Sequence, residues 1–214
     1  MSGAQGYNHL VTGVPQQPRA FTYHLDIEQE GLKIGPITDR EAELLAQYYG
    51  YQSIPAFCQS VPEGAEVIDV GAGLSDFGHR IASERPDIQW TNFDIRYKRG
   101  YIEPSHATDL EVLQDKAPSN VHYVGGNILE LHPELKHQTF ARVFSYYMLQ
   151  HVARNGRGLA FDAVLNLIGL AAPQGTISIG PLGDRTHGRA EKPKTQAGVT
   201  KLAAEFVCAL TLEK

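Results

Sequence analysis

The sequence predicts an α/β chain built on a mostly parallel sheet of at least five strands, with helices on both faces. From residue 65 onward, short apolar β-rich runs alternate with helical runs, as in successive βαβ units. The first of these runs also ends in Gly-x-Gly and opens into a helix, a junction typical of ligand-binding α/β sheets. No internal repeat is visible to suggest a solenoid.

The strands read in order as 66–70, 88–94, 121–124, 142–146 and 176–179. A helix follows the first strand over about 76–84. A long apolar helix over about 159–171 stops at the turn Ala172-Pro173-Gln174-Gly175. A last helix is supported by Val199, Leu202, Ala203, Phe206, Val207 and Leu210, which hold one face for three turns.

Ahead of the sheet, residues 1–37 are rich in Gly, Pro and Gln, with one alternating stretch, Phe21-Thr22-Tyr23-His24-Leu25, that suits a strand or an extended arm. Thr38-Asp39-Arg40-Glu41 has the spacing of a capping box. Behind it Ala42, Leu45, Ala46 and Tyr49 form an apolar stripe that Gly50 and Pro55 interrupt. The expected organisation is an N-terminal arm and cap helix over 1–60 and the sheet domain over 61–214. Tyr48, Tyr49, Tyr51 and Phe57 make the cap aromatic, which suits ordinary packing better than a lid over a planar ligand.

With 214 residues, 42% hydrophobic and 20% charged, the chain can bury a core without staples. A formal charge of -5 gives no global attraction to nucleic acid or anionic lipid. No apolar run approaches a membrane span and the N-terminus has no leader pattern, so a cytoplasmic protein is expected. Cys58 and Cys208 fit buried packing in a reducing compartment, and the nine His show no zinc-site spacing.

A Gly-x-Gly at a strand end lets backbone approach a ligand, and the helix start behind it offers unpaired N–H groups. Gly71 and Gly73 hold those places. A dinucleotide fingerprint needs a third Gly at position 76, but Asp76 stands there and would repel a pyrophosphate. Asp94, 21 residues after Gly73 at the end of the second strand, suits two ribose hydroxyls in either type of site.

The run Asp69-Val70-Gly71-Ala72-Gly73-Leu74-Ser75 resembles the first motif of the class I S-adenosylmethionine-dependent methyltransferases of small-molecule type, an acid followed by Gly-x-Gly-x-Gly. Similar matches follow at Asn92-Phe93-Asp94-Ile95, at Gly125-Gly126-Asn127-Ile128, at Phe144 to Val152 and at the Pro173–Gly175 turn. Together they span about 65–180. The resemblance implies a Rossmann-like fold and S-adenosylmethionine as cofactor. It places Asp69, Gly71, Ala72, Gly73, Ser75, Asp94, Ile95, Asn127, Ile128 and Tyr146 around that cofactor, with Ser75 in place of the third Gly and Asn127 in place of an adenine-binding acid. A cationic sulfonium also accounts for an acidic loop.

Methyl transfer from a sulfonium is an in-line displacement, so positioning supplies most of the rate. His151, after the fourth strand, is the candidate general base if the acceptor must lose a proton, and Tyr147 is a candidate to orient the acceptor. The expected acceptor is a small organic molecule. An RNA acceptor is second: Arg96, Lys98 and Arg99 alternate with Tyr97 and Tyr101, and Arg185, His187, Arg189, Lys192 and Lys194 follow the fifth strand. The other competing readings are a methyltransferase-like binding or assembly domain without catalysis and an NAD-dependent oxidoreductase. The family's sheet has seven strands, whereas only Thr211-Leu212-Glu213-Lys214 follow the last helix. The last two strands are therefore expected to be absent, supplied by the N-terminal arm, or replaced by a partner copy covering the sheet edge.

Overall fold

A computed structural model describes residues 27–29, 32–34, 42–102, 104–146 and 148–180. In chain order the elements are β1 (Ile27–Gln29), β2 (Leu32–Ile34), α1 (Ala42–Tyr48), α2 (Ile54–Ser60), β3 (Glu66–Val70), α3 (Phe77–Glu84) and β4 (Gln89–Asp94). After a 3-10 turn at Ile95–Tyr97 come α4 (Pro104–Asp115), β5 (Val121–Gly125), a second 3-10 turn at Pro133–Leu135, β6 (Phe140–Tyr146), α5 (Met148–Asn155), α6 (Arg157–Leu170) and β7 (Ala171–Gly180). The capping box at 38–41, the stretch 21–25, Tyr147, the basic run at 185–194, the last helix and Cys208 lie outside the described residues.

Strands β3 to β7 form one parallel sheet in the order β5-β4-β3-β6-β7, an α/β Rossmann-like architecture. The strand period of two sends alternate residues to opposite faces. Val67, Trp90, Val121, Phe144 and Tyr146 face one layer, where they pack with Ala42, Leu45 and Ala46 of α1, Ile54 and Phe57 of α2, and Phe77 and Ile81 of α3. Ile68, Val70, Phe93 and Val143 face the other layer and meet Ala163, Leu167 and Leu170 of α6. Being covered on both faces, β3 is buried from Val67 to Val70, with Asp69 the one charged residue among them.

The N-terminal helices join this packing directly. Phe57 lies 4.9 Å from Phe77 and 5.1 Å from Phe144, ring centre to ring centre. Tyr49 stands 4.6 Å from Phe144. Arg85 fastens the layer from below, donating to the carbonyls of Cys58 and Val61 at 2.5 and 3.0 Å while pairing with Asp87. Cys58 is buried, and burial first, then the Glu84 charge, pushes its thiol up to about 11.

Three local expectations change. Pro55, read as an interruption, begins α2: it sits in the first turn, where its missing N–H costs nothing, and Ser53 caps the helix by accepting from the Ala56 amide at 3.3 Å. The turn Ala172–Gly175, expected before the last strand, lies inside β7 as a bulge. Phe140 pairs with Ala171 but Arg142 with Thr176, and Gln174 takes a φ of 66°. Helix α4 has no clear apolar stripe in the sequence: Leu110 is buried, but Val112 faces solvent.

The strand order reverses between β3 and β6, and beyond the C-terminal ends of strands at such a switch point open α/β sheets form their ligand crevice. A recess of about 180 Å³ beside Glu66, Gln89, His122 and Glu134 lies at the opposite ends of the strands, away from that crevice. No helix among the described residues is long and apolar enough to cross a membrane.

Candidate functional site

The crevice is walled by the loop after β3. Gly71 and Gly73 have φ values of 83° and 60°, a region that side-chain-bearing residues rarely adopt. Gly71 is also needed for space: a Cβ on it would stand 2.7 Å from the Met148 Cβ, where α5 begins. The loop therefore lies directly against the helix that follows β6.

Most amides of this loop are turned inward. Gly71 N–H donates to the Phe93 carbonyl at 2.7 Å, Gly73 N–H to Asp94 Oδ2 at 2.9 Å, and Ser75 N–H to the Ala72 carbonyl at 3.3 Å. The Ser75 hydroxyl accepts from the Phe77 amide at 3.1 Å and so begins α3, one explanation for a hydroxyl at this position. Asp76 occupies the cap position but makes no side-chain cap bond.

Asp94 is the hinge of the site. Its second oxygen accepts from the Arg96 amide at 2.8 Å, so one carboxylate ties the glycine loop to the 3-10 turn after β4. Burial raises its pKa, and the two amides and the Arg96 guanidinium only partly offset this. Asp69, 3% exposed, pairs in register with Asn92 and Phe144 in the centre of the sheet.

In the sequence Tyr97 belongs to a basic and aromatic series. Instead its hydroxyl donates to the Gly73 carbonyl at 2.5 Å, and its ring meets Tyr123 edge-on at 5.3 Å. Its ionisation is pushed far up, first by burial and then by the charges of Asp94, Tyr123 and Asp69. Arg96 and Tyr101, 2% and 3% exposed, are buried, with the Arg96 guanidinium donating to the Tyr101 carbonyl. Those two residues are therefore unable to serve as surface contacts for a polyanion.

Tyr123 Oη and His79 Nε2 lie 2.6 Å apart, and burial pushes the Tyr123 phenol up to about 12. Burial lowers the His79 pKa, with Asp76 pulling the other way. An unfolded histidine titrates near pH ~6.5, so below that value the unfolded chain takes up a proton that folded His79 refuses. Stability contributed by neutral His79 is thus lost as pH falls from about 6.5 toward its folded pKa. In urea unfolding, His79→Gln is expected to flatten this part of the stability profile relative to the parent. Parallel profiles would contradict it.

The remaining predicted residues divide by depth. Ala72 is buried in the loop and Ile95 is half-buried in the turn. Asn127 is half-buried and turns its Oδ1 back to the Leu129 amide at 3.1 Å. Ile128 and Tyr146 lie in the core, Ile128 on the α6 side and Tyr146 6.2 Å from Tyr49. His151 lies in the first turn of α5, one turn beyond Met148 on the same side, with its Nδ1 buried. No group of three or more His, Cys, Asp or Glu among the described residues could hold a metal ion.

The sequence matches no family model and no curated protein. Its fold is similar to a TehB-like SAM-dependent methyltransferase from Corynebacterium glutamicum, at 17% identity and a TM-score of 0.42, over 59% of each chain. It is similar also to PKMT2 from Rickettsia typhi in complex with AdoHcy, at 16% identity and a TM-score of 0.42, over 64% of this chain and 23% of that one. An O-methyltransferase family protein from Burkholderia thailandensis gives 16% identity and 0.42, over 63% and 37%. The chain thus spans less than two thirds of the length of each.

Proposed function

We propose that the crevice binds S-adenosylmethionine and that the chain transfers its methyl group to a small organic acceptor. The observation that carries this reading is the inward turn of the glycine loop. With the Gly71, Gly73 and Ser75 amides satisfied inside the protein, the loop offers few donors to a phosphate. Asp69, Asp76 and Asp94 add negative charge around it. A dinucleotide pyrophosphate is repelled by such a site, whereas a ligand bearing a sulfonium, an ammonium and ribose hydroxyls matches it.

Within this reading the residues divide the work. Asp94 accepts from the ribose hydroxyls with the lone pairs that Gly73 and Arg96 leave open, and those donors offset the cost of its buried charge. Asp69 faces the ammonium. Gly71 and Gly73 keep the loop low enough for close approach. Asn127 and Ile95 border the adenine, with Ile128 and Ala72 supporting them from the core. When bound, S-adenosylmethionine supplies a methyl group on a positively charged sulfur. His151 on α5 takes the acceptor's proton where one must leave, and Tyr147 orients the acceptor.

Thermal melting tests the reading, because a ligand stabilises the state it binds. S-adenosylhomocysteine at about 100 times its Kd should add roughly 2.7 kcal/mol, while NADH should add nothing. A rise with NADH and none with S-adenosylhomocysteine would overturn the assignment. Binding without turnover of a labelled methyl donor across a broad acceptor panel would reduce the chain to a binding domain.

A further inference from the structure

The geometry assigns Tyr97 as a positioning residue that presets the glycine loop for its ligand. Gly73 is held at both of its backbone groups by side chains from a single short segment: Asp94 accepts from its N–H at 2.9 Å and Tyr97 donates to its carbonyl at 2.5 Å. Gly73 has a left-handed backbone, and the two bonds hold the peptide units on either side of its Cα, one through the N–H and the other through the carbonyl.

Two neighbours fix Tyr97 in turn. Gly125 at the end of β5 lets the 3-10 turn lie against the strand, since a Cβ there would stand 2.7 Å from the Tyr97 carbonyl carbon and 2.8 Å from the Lys98 nitrogen. On the other side, Tyr123 packs edge-on against the Tyr97 ring and is itself bonded to His79 on α3. The ends of β4 and β5 and the start of α3 thereby converge on the Gly73 carbonyl. A loop ordered before binding does not have to be ordered by the ligand, which raises affinity without any new ligand contact.

The inference that Tyr97 governs affinity rests on the proposed ligand; the claim that it presets the loop does not. The test therefore has two arms. Tyr97→Phe keeps the ring and removes only the donor. In the ligand-free protein, amide exchange at Gly73 should accelerate about tenfold, the size of one hydrogen bond, while the central amides of β3 keep their protection. In titration calorimetry the Kd for S-adenosylhomocysteine should weaken by a similar factor. Ser53→Ala, which removes the cap of α2 and no bond to the loop, serves as the control for a general loss of stability and should leave the Kd within about twofold.

If the parent binds and Tyr97→Phe binds equally well, the inference is overturned. If Ser53→Ala weakens binding as much as Tyr97→Phe, the effect is global and the inference is likewise overturned. If the parent itself does not bind, the proposed ligand is wrong, and the exchange arm alone decides: unchanged exchange at Gly73 overturns the role of Tyr97, and selective acceleration upholds it.

Discussion

Asp94→Ala is expected to abolish the melting shift with S-adenosylhomocysteine and to weaken its binding at least about 100-fold. The figure follows from losing two charge-assisted hydrogen bonds to a ligand, each worth ~1.5–3 kcal/mol. Ligand-free stability should change far less, because two effects oppose. Truncation leaves the Gly73 and Arg96 amides without their acceptor but also relieves a buried carboxylate whose ionisation is already disfavoured. Calorimetry and melting on the same preparation separate the two effects. A variant that binds like the parent would show that the ribose lies elsewhere.

The largest effect on stability should come from Phe57→Ala, at about 3–5 kcal/mol. Phe57 is fully buried and touches four aromatic rings, those of Tyr51, Phe77, Trp90 and Phe144. A loss of this size is a large share of the roughly 5–15 kcal/mol that holds a domain folded. Trp90 is the only tryptophan in the sequence and stacks on Phe144 at 6.1 Å, so its fluorescence reports on this layer. In urea, fluorescence and circular dichroism should shift together to a lower midpoint. A detachable N-terminal cap would instead give two separate transitions, with the sheet unfolding at the parent's midpoint.

The parts of the fold legible in the sequence are those whose burial is uniform. Glu66–Val70 is legible to the residue because both faces of β3 are covered, leaving little choice of register. Where one residue type serves two opposite purposes, the reading fails. Pro55 stops a helix from within but starts one from its first turn, and only the serine two residues earlier reveals which. At 172–175 a Pro-Gln-Gly run signals a turn, yet neighbouring β6 continues the strand around it.

The site divides in the same way. The glycines of the loop are visible because backbone conformation and close approach demand that residue type. Tyr97 stayed hidden because its task depends on contacts 24 residues away, with Gly73, which no local spacing encodes. Flanked by Arg96 and Lys98, it carried the signature of an exposed basic surface. The one available clue was its place three residues after Asp94, within reach of the same loop.

Central placement of β3 also constrains the order in which the chain can fold. Its partner on one side, β4, follows after fewer than twenty residues, but its partner on the other, β6, arrives only at Phe140. Until then the aromatic layer lacks Phe144 and Tyr146, and one edge of β3 is unpaired. A nascent chain must therefore carry an open apolar surface through much of its synthesis. Long-range parallel pairing of this kind is slow and prone to association, so folding yield should fall with chain concentration and recover when refolding is dilute.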